Sequence, residues 1–386
     1  MSDSNRIRIS IFKEITYGAT PGSPAMKILP VTGQSLRDAV GYTQSTIINS
    51  DRNVEELVRL SKSAGGQTPI ELMFSPTGEA IELLLGAAMC SAETLVYADT
   101  AATLAGGDKV ITTGATATNV SVGDIVHITS DAGTNAGYYK VTVVTATEVT
   151  VEADANFTAD ASSVTMTRAA RRLNGVVEDS FTIEVARLDV QKAQVFTGCV
   201  VNNLELSVND EAIVTGNVTF AASNSTFADT NTGTPDQFIS GATYADATDH
   251  PVLDSLSVPE IRSAGVKFGT KSIGLVVTNN VAARTELGTL GATSMRQGEF
   301  NVTGSIEAYF EDFTEMKAYA DNTEGAIWFA LIDANDRGYT FSMPTVKFND
   351  AGADVTGSNT DTMVSIGYQA TLNATQACTV RMQRWA

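Results

Sequence analysis

The sequence predicts a mainly β protein, with antiparallel strands in a sandwich or barrel, one or two flanking helices, and a small all-β domain inserted into the chain. Three observations carry this. Gly298 to Phe310 places Phe300, Val302, Ile306, Ala308 and Phe310 on even positions, with Glu299, Asn301, Thr303, Ser305, Glu307 and Tyr309 between them. Successive strand side chains point to opposite faces, so this is a long ribbon with one dry side and one wet side. Such ribbons recur along the chain. No helix–strand–helix rhythm accompanies them, which argues against a parallel α/β sheet.

In chain order, Arg6 to Phe12 alternates Ile7, Ile9 and Ile11 with Arg6, Arg8 and Ser10. It reads as a first strand or as a terminal arm that adds to a sheet edge. Gly18 to Pro30 holds three prolines and two glycines and reads as a loop. Val40 to Ile48 is extended. Ser75-Pro76 reads as the start of a helix, with Ser as N-cap and Pro at the first helical position. Ile81, Leu84, Leu85 and Ala88 then give one apolar stripe that should lie on a sheet face.

The texture changes over residues 92–170, which are rich in Thr, Ala and Val. Gly123 to Thr129, Tyr138 to Val144 and Glu148 to Val151 are short strands separated by Asp131-Ala132-Gly133 and similar turn signals. This stretch reads as an inserted small barrel or Ig-like domain. Residues 1–91 and 171–386 then form one discontinuous main domain.

The main pattern resumes at Phe181 to Val185. Leu204, Leu206 and Val208 alternate with Asn203, Glu205 and Ser207, turn at Asn209-Asp210, and return over Ile213 to Phe220 as a hairpin. Residues 221–261 hold Asp229, Asp236, Asp246, Asp249, Asp254 and Glu260 and no Lys or Arg. They read as a long polar loop, a candidate for order only under a partner. Ala264 to Phe268 and Ser272 to Thr278 follow as strands. Phe313, Met316 and Ala320 share a helical face, with Glu311, Asp312 and Glu315 near its positive end. Ala326 to Ile332 pairs with Tyr339 to Met343, and Thr362 to Leu372 is the last strand.

Composition narrows the function. The 386 residues are 43% hydrophobic, enough for a real core, but only 18% charged. Low charge suits sheets partly covered by neighbours. A net charge of −19 disfavours nucleic-acid binding, because phosphates need Lys and Arg partners. It fits solubility, or a duct through which nucleic acid slides without sticking. Cys90, Cys199 and Cys378 are far apart and form no C-x-x-C. The sequence predicts no secretion signal and no membrane span.

No motif in the chain carries catalysis. His127 and His250 read as surface or pocket residues rather than zinc ligands. Gly265 to Ser272 has the wrong spacing for a phosphate loop and reads as a turn. Asp333 to Gly338 has carboxylates at calcium-like spacing but lacks the downstream bidentate Glu, and reads as a β-turn. Catalytic, metal and cofactor residues are therefore expected to be absent. Ser50, Asp51 and Arg52 end an extended stretch with an acid–base pair, which is the candidate for a salt bridge across a subunit boundary.

Four groups of segments, taken in order, resemble the tail tube (major tail) proteins of long non-contractile-tailed bacteriophages, the siphophage type. The first is Lys13 to Pro21 (K-E-I-T-Y-G-A-T-P) with Ser45 to Asn53 (S-T-I-I-N-S-D-R-N). The second is Ile70 to Phe74 with the helix to Met89. The third is Phe181 to Val185, Phe196 to Val208 (F-T-G-C-V-V-N-N-L-E-L-S-V) and Ile213 to Phe220. The fourth is Val302 to Phe310 (V-T-G-S-I-E-A-Y-F) with Tyr339 to Phe348. Each describes only a strand or a turn, so order and spacing carry the resemblance, which spans most of the chain outside the insertion and the acidic loop.

The resemblance implies two antiparallel sheets curling into a barrel-like sandwich with a flanking helix. It implies a homohexameric ring, with rings stacked into a hollow tube through which DNA passes without specific binding during ejection. It also implies a tape measure protein and tail terminator and distal tail proteins as partners, no cofactor, and residence in the virion tail after assembly in the host cytoplasm. Contacts between rings are expected in loops at residues 18–38 and around 50–66, and the insertion is expected to project outward. Two other classes stay open on the sequence. One is an Ig-like surface-binding adhesin module; the other is an enzyme such as a β-sandwich glycosidase.

Overall fold

The structure is a computed structural model that describes residues 3–48, 53, 56–104, 106–114, 117–129, 135–154, 156–158, 164–229, 232, 234, 236–248, 250–263, 265–267, 269–311, 313–354 and 361–386. Strands dominate, as the alternating pattern predicts. Among the described residues, eighteen strands join one hydrogen-bonded network and six more close a separate barrel.

The network bends because single strands serve two layers. The first half of Lys192–Asn209 pairs with Phe181–Arg187 and Asn224–Ala228. Its second half pairs with Thr215–Ala222 and Thr270–Thr278. The change falls at Gly198, where φ is +62° and a Cβ would lie 2.5 Å from Ser223 Oγ, so glycine suits both the backbone and the close approach. Gly338–Asp354 does the same with Glu324–Ile332 and Arg381–Trp385 on one half and Met363–Ala370 on the other.

One layer contains Ile7–Lys13 between Phe181–Arg187 and Ala25–Ile28. The other runs Leu57–Glu71, Thr215–Ala222, Lys192–Asn209, Thr270–Thr278, Asn301–Tyr309, Met363–Ala370. Ile9 and Ile11 of the first layer share one core with Leu204, Val302 and Ile306 of the second. Ile7–Lys13 is thus a strand of the sheet itself rather than a free arm.

Several expectations are corrected. Gly18 to Pro30 is not all loop. Ala25–Ile28 is a strand that also pairs in parallel with Thr243–Ala245, because Met26 is buried and the prolines fall outside those four residues. The helix spans Ala80–Met89 rather than starting at Ser75-Pro76. Gly78, at φ +81°, breaks the helical path, and Ser75 Oγ instead accepts the Glu82 N–H from outside the helix at 3.2 Å. The helix is buried on nearly every side, wider than the single stripe predicted, which is why its composition is apolar all round. Its one charge, Glu82, is paired with Arg172. The helix Thr314–Ala320 has no buried residue and flanks the body.

The acidic stretch 221–261 is not one polar loop. Among its described residues are the strands Asn224–Ala228 and Thr243–Ala245. Arg8 ties the stretch down: it pairs with Glu184 at 2.9 Å and lies 3.5 Å over the Tyr244 ring, whose hydroxyl donates to Glu184 at 2.8 Å. Of the expected strand Ala264 to Phe268, both end residues lie outside the described set, and the described part is a short hairpin of Ile261–Ser263 with Val266–Lys267.

The separate barrel closes through Tyr97–Leu104, Val110–Thr112, Glu148–Glu152, Gly137–Val144, Ile125–Thr129 and Val164–Arg168. Ala102, Ile111, Val126, Ile128, Val141, Val149 and Met166 fill it. It is fastened to the rest of the chain by polar and aromatic contacts. Asp124, with no exposed surface, accepts from Arg171 at 2.9 and 3.0 Å and pairs with Arg381 at 3.1 Å. The Gln383 amide bonds both the N–H and the C=O of Ile125, at 2.6 and 2.9 Å. His127 stacks on Tyr138 at 4.3 Å, and both meet the edge of Trp385. Burial lowers the His127 pKa, which favours the neutral ring.

Candidate self-association surfaces

Arg37–Gln44 and Leu57–Glu71 form a hairpin that leaves the body. Their register runs from Arg37 opposite Gly65 to Gln44 opposite Leu57, with a slip between Gly41 and Tyr42. Leu57–Glu71 is held by Thr215–Ala222 only from Glu71 to Ala64. The residues beyond Ala64 have ladder partners in the other arm strand alone, and the Lys62 side chain still reaches the body, so the ribbon extends roughly 20 Å.

Apolar side chains on this ribbon face water. Tyr42 is 55% exposed, Leu57 60% and Leu60 61%. A two-stranded ribbon has no core of its own and is marginal in water. Contiguous exposed apolar residues on a strand edge mark a surface that another chain covers. Ser50, Asp51 and Arg52, the predicted interface residues, lie outside the described residues. The expectation of a loop from Ser50 to Gly66 is corrected, since Leu57 onward is strand. Sequence reasoning missed that strand because its outer half, residues 57–63, has no buried side chain to impose alternation, and Gly65, Gly66 and Pro69 imitate a turn in the inner half.

A second surface is the wet face of the second layer. Paired residues cross it in rows. One row is Pro69, Asn217, Glu205, Val276, Thr303, Gln369 and Lys347. Another is Gln67, Thr219, Asn203, Thr278 and Asn301. A third is Glu71, Thr215, Ser207, Gly274, Ser305 and Gly367. None of these is buried. They are mostly amides and hydroxyls, with two carboxylates and, at one end, Lys347. Several bond sideways: Thr278 Oγ1 donates to Asn203 Oδ1 at 3.1 Å, and Gln369 Nε2 to Asn301 Oδ1 at 3.1 Å. Such a face offers a phosphate backbone almost no cation.

The residues considered for chemistry are otherwise engaged. Asp333 accepts the N–H groups of Asn335 and Arg337 and pairs with the Arg337 guanidinium at 2.8 Å, which makes it a turn and holds its pKa below the usual carboxylate range. His250 Nδ1 lies 2.9 Å from Arg337, and the ring packs edge-on to Phe74. Among the described residues no three His, Cys, Asp or Glu gather as a metal site. The three cysteines are free and buried, and burial pushes the Cys90 thiol up to about 11. Trp328 and Trp385 are buried as well. Among the described residues no helix is long and apolar enough to cross a membrane.

A family model described as phage tail tube protein matches residues 4–370, nearly the whole chain. No curated protein matches it.

Proposed function

The chain belongs to the phage tail tube protein family, a structural and non-enzymatic one, and from that premise we propose that six copies close a ring and that rings stack into the tail tube of a siphophage. The observation that carries this is the hairpin arm, whose apolar side chains Tyr42, Leu57 and Leu60 stay exposed among the described residues. A head-to-tail contact made by such an arm propagates without closing, which yields a tube, whereas ring closure hides the remaining sheet edges.

In this reading the arm reaches a neighbouring copy. Ser50, Asp51 and Arg52, which fall between the two arm strands in sequence, supply a polar contact there. The wet face lines the lumen, and its near lack of cations lets DNA pass during ejection without stalling. Residues 92–170 act as an inserted domain on the outside, since a closed barrel with its own core does not fit a channel sized for a duplex. A tape measure protein and tail terminator and distal tail proteins meet the assembled tube, which forms in the host cytoplasm before joining the virion.

Negative-stain electron microscopy of the purified chain tests the reading, with six-fold rings or long tubes expected. The double variant Tyr42→Ser, Leu60→Ser should abolish tubes and leave the monomer's melting temperature unchanged, because those side chains touch no core. Undiminished tube formation by this variant would overturn the role of the arm. Arg52→Ala should weaken polymerisation more than folding; equal tube yield with a lowered melting temperature would remove these three residues from the interface.

A further inference from the structure

We propose that Lys62 and Asn224 join in an intrachain isopeptide bond, with Asp38 as the carboxyl that moves the protons. The three residues come from three neighbouring strands at the root of the arm: Asp38 from Arg37–Gln44, Lys62 from Leu57–Glu71, and Asn224 from Asn224–Ala228. Lys62 Nζ lies 2.8 Å from Asn224 Oδ1, so the carboxamide carbon is one bond further on. The same amine donates to the carbonyl of Ser225 at 2.8 Å, which fixes it in place. Asp38 Oδ2 lies 3.9 Å from it.

Two features set this group apart from a surface ion pair. The Lys62 and Asp38 side chains are each only 18% exposed. Asp38 Oδ1 is buried and has no hydrogen-bond partner, so half of this carboxylate is held out of water without compensation. Gly291, from the excursion between Thr270–Thr278 and Asn301–Tyr309, crosses so closely that a Cβ there would stand 3.1 Å from Ser223 O and 3.4 Å from Lys62 O. The Lys62 and Ser223 backbones are therefore held against a third segment. Asn224 itself is exposed, and the terminal torsion of an Asn is soft, so its carbonyl face can turn to the amine.

The step balances without an oxidant or any further reactant. Asp38 takes a proton from the Lys62 ammonium, and the neutral amine attacks Cγ of Asn224. The C–N bond to Lys62 forms as the carboxamide C–N bond breaks. Asp38 returns its proton, and the second proton shed by the Lys62 nitrogen also passes to the departing nitrogen. The products are a secondary amide and ammonium, with Asp38 a carboxylate again. Holding amine and amide in contact makes the reaction unimolecular, which is how two slow partners join without an enzyme.

The position gives the bond a purpose, and this part alone rests on the tube reading. Ala64 opposite Ala222 is the last ladder pair holding the arm to the body. Lys62 is two residues beyond it, so the bond would brace the arm where axial load first pulls on hydrogen bonds.

Intact-mass spectrometry of the full chain, followed by peptide mapping, decides the matter. The expected result is a mass one ammonia below that of the sequence and a branched peptide joining Lys62 to Asn224. Asp38→Asn, Lys62→Arg and Asn224→Ser should each restore the full mass. An unmodified mass in the wild type, both freshly purified and after prolonged incubation under assembly conditions, would overturn the proposal without any variant having to fold. So would an ammonia loss that maps to a succinimide at another asparagine. A cross-linked chain that never forms tubes would leave the bond standing and remove only its bracing role.

Discussion

Asp124 carries the attachment of the small barrel. It is fully buried, it serves Arg171 and Arg381, and it accepts the Ser121 N–H at 2.8 Å. A buried ion pair adds little against a well-packed apolar alternative, but removing one partner strands the other charge. Asp124→Ala should therefore cost about 3–5 kcal/mol, read as a lowered denaturant midpoint; an unshifted midpoint would mean that water already reaches the two guanidinium groups. Glu14 shows the same logic with neutral donors. Its buried carboxylate accepts from Ser180 and Thr182 hydroxyls and from the Gly18 and Gly198 N–H groups, which fixes the loop after the first strand. Neither carboxylate stands out in the sequence, because most of its partners lie tens to hundreds of residues away and a buried carboxylate reads like an exposed one.

The alternating ribbons were legible as elements because a half-buried strand must place its apolar residues two apart. Asn301–Tyr309 buries Val302, Ile306 and Ala308 as that spacing requires. The pattern skips Gly304, and the structure supplies the reason. A Cβ at Gly304 would lie 2.2 Å from Gly274 O and 2.3 Å from the Tyr368 hydroxyl, which itself donates to Gly274 O at 2.9 Å. Tyr368 fills the space of the missing side chain. Gly304→Ala should destabilise by about 1–3 kcal/mol through overpacking, seen as a drop in melting temperature; a neutral result would show that Tyr368 swings aside freely. Stretches lacking a dry side escaped notice, as the outer half of the arm strand Leu57–Glu71 did. So did short strands flanked by prolines, such as Ala25–Ile28, where burial and not propensity decides.

For the whole molecule the question is which surfaces an assembly hides. If the wet face lines the lumen and the small barrel faces out, bulky reagents should tell them apart. The native cysteines are buried and will not compete. Gln369→Cys and Val143→Cys each place a thiol at an exposed position, one on the wet face and one on the barrel. A polyethylene-glycol maleimide should label both in the monomer but only the Val143→Cys variant in tubes. Equal labelling of both variants in tubes would put the wet face on the outside and reverse the proposed orientation.

The sequence by itself determined the strand-rich class, the two-faced ribbons, the small β-rich stretch in the middle and the lack of catalytic motifs, because periodicity and residue chemistry are local properties. Tertiary structure alone decided where strands change partners, how Arg8, Glu184 and Tyr244 tie down an acidic segment, and that Lys62, Asn224 and Asp38 meet. Those outcomes depend on which distant residues share a buried space, and pairing across long separations leaves no periodic trace in the chain.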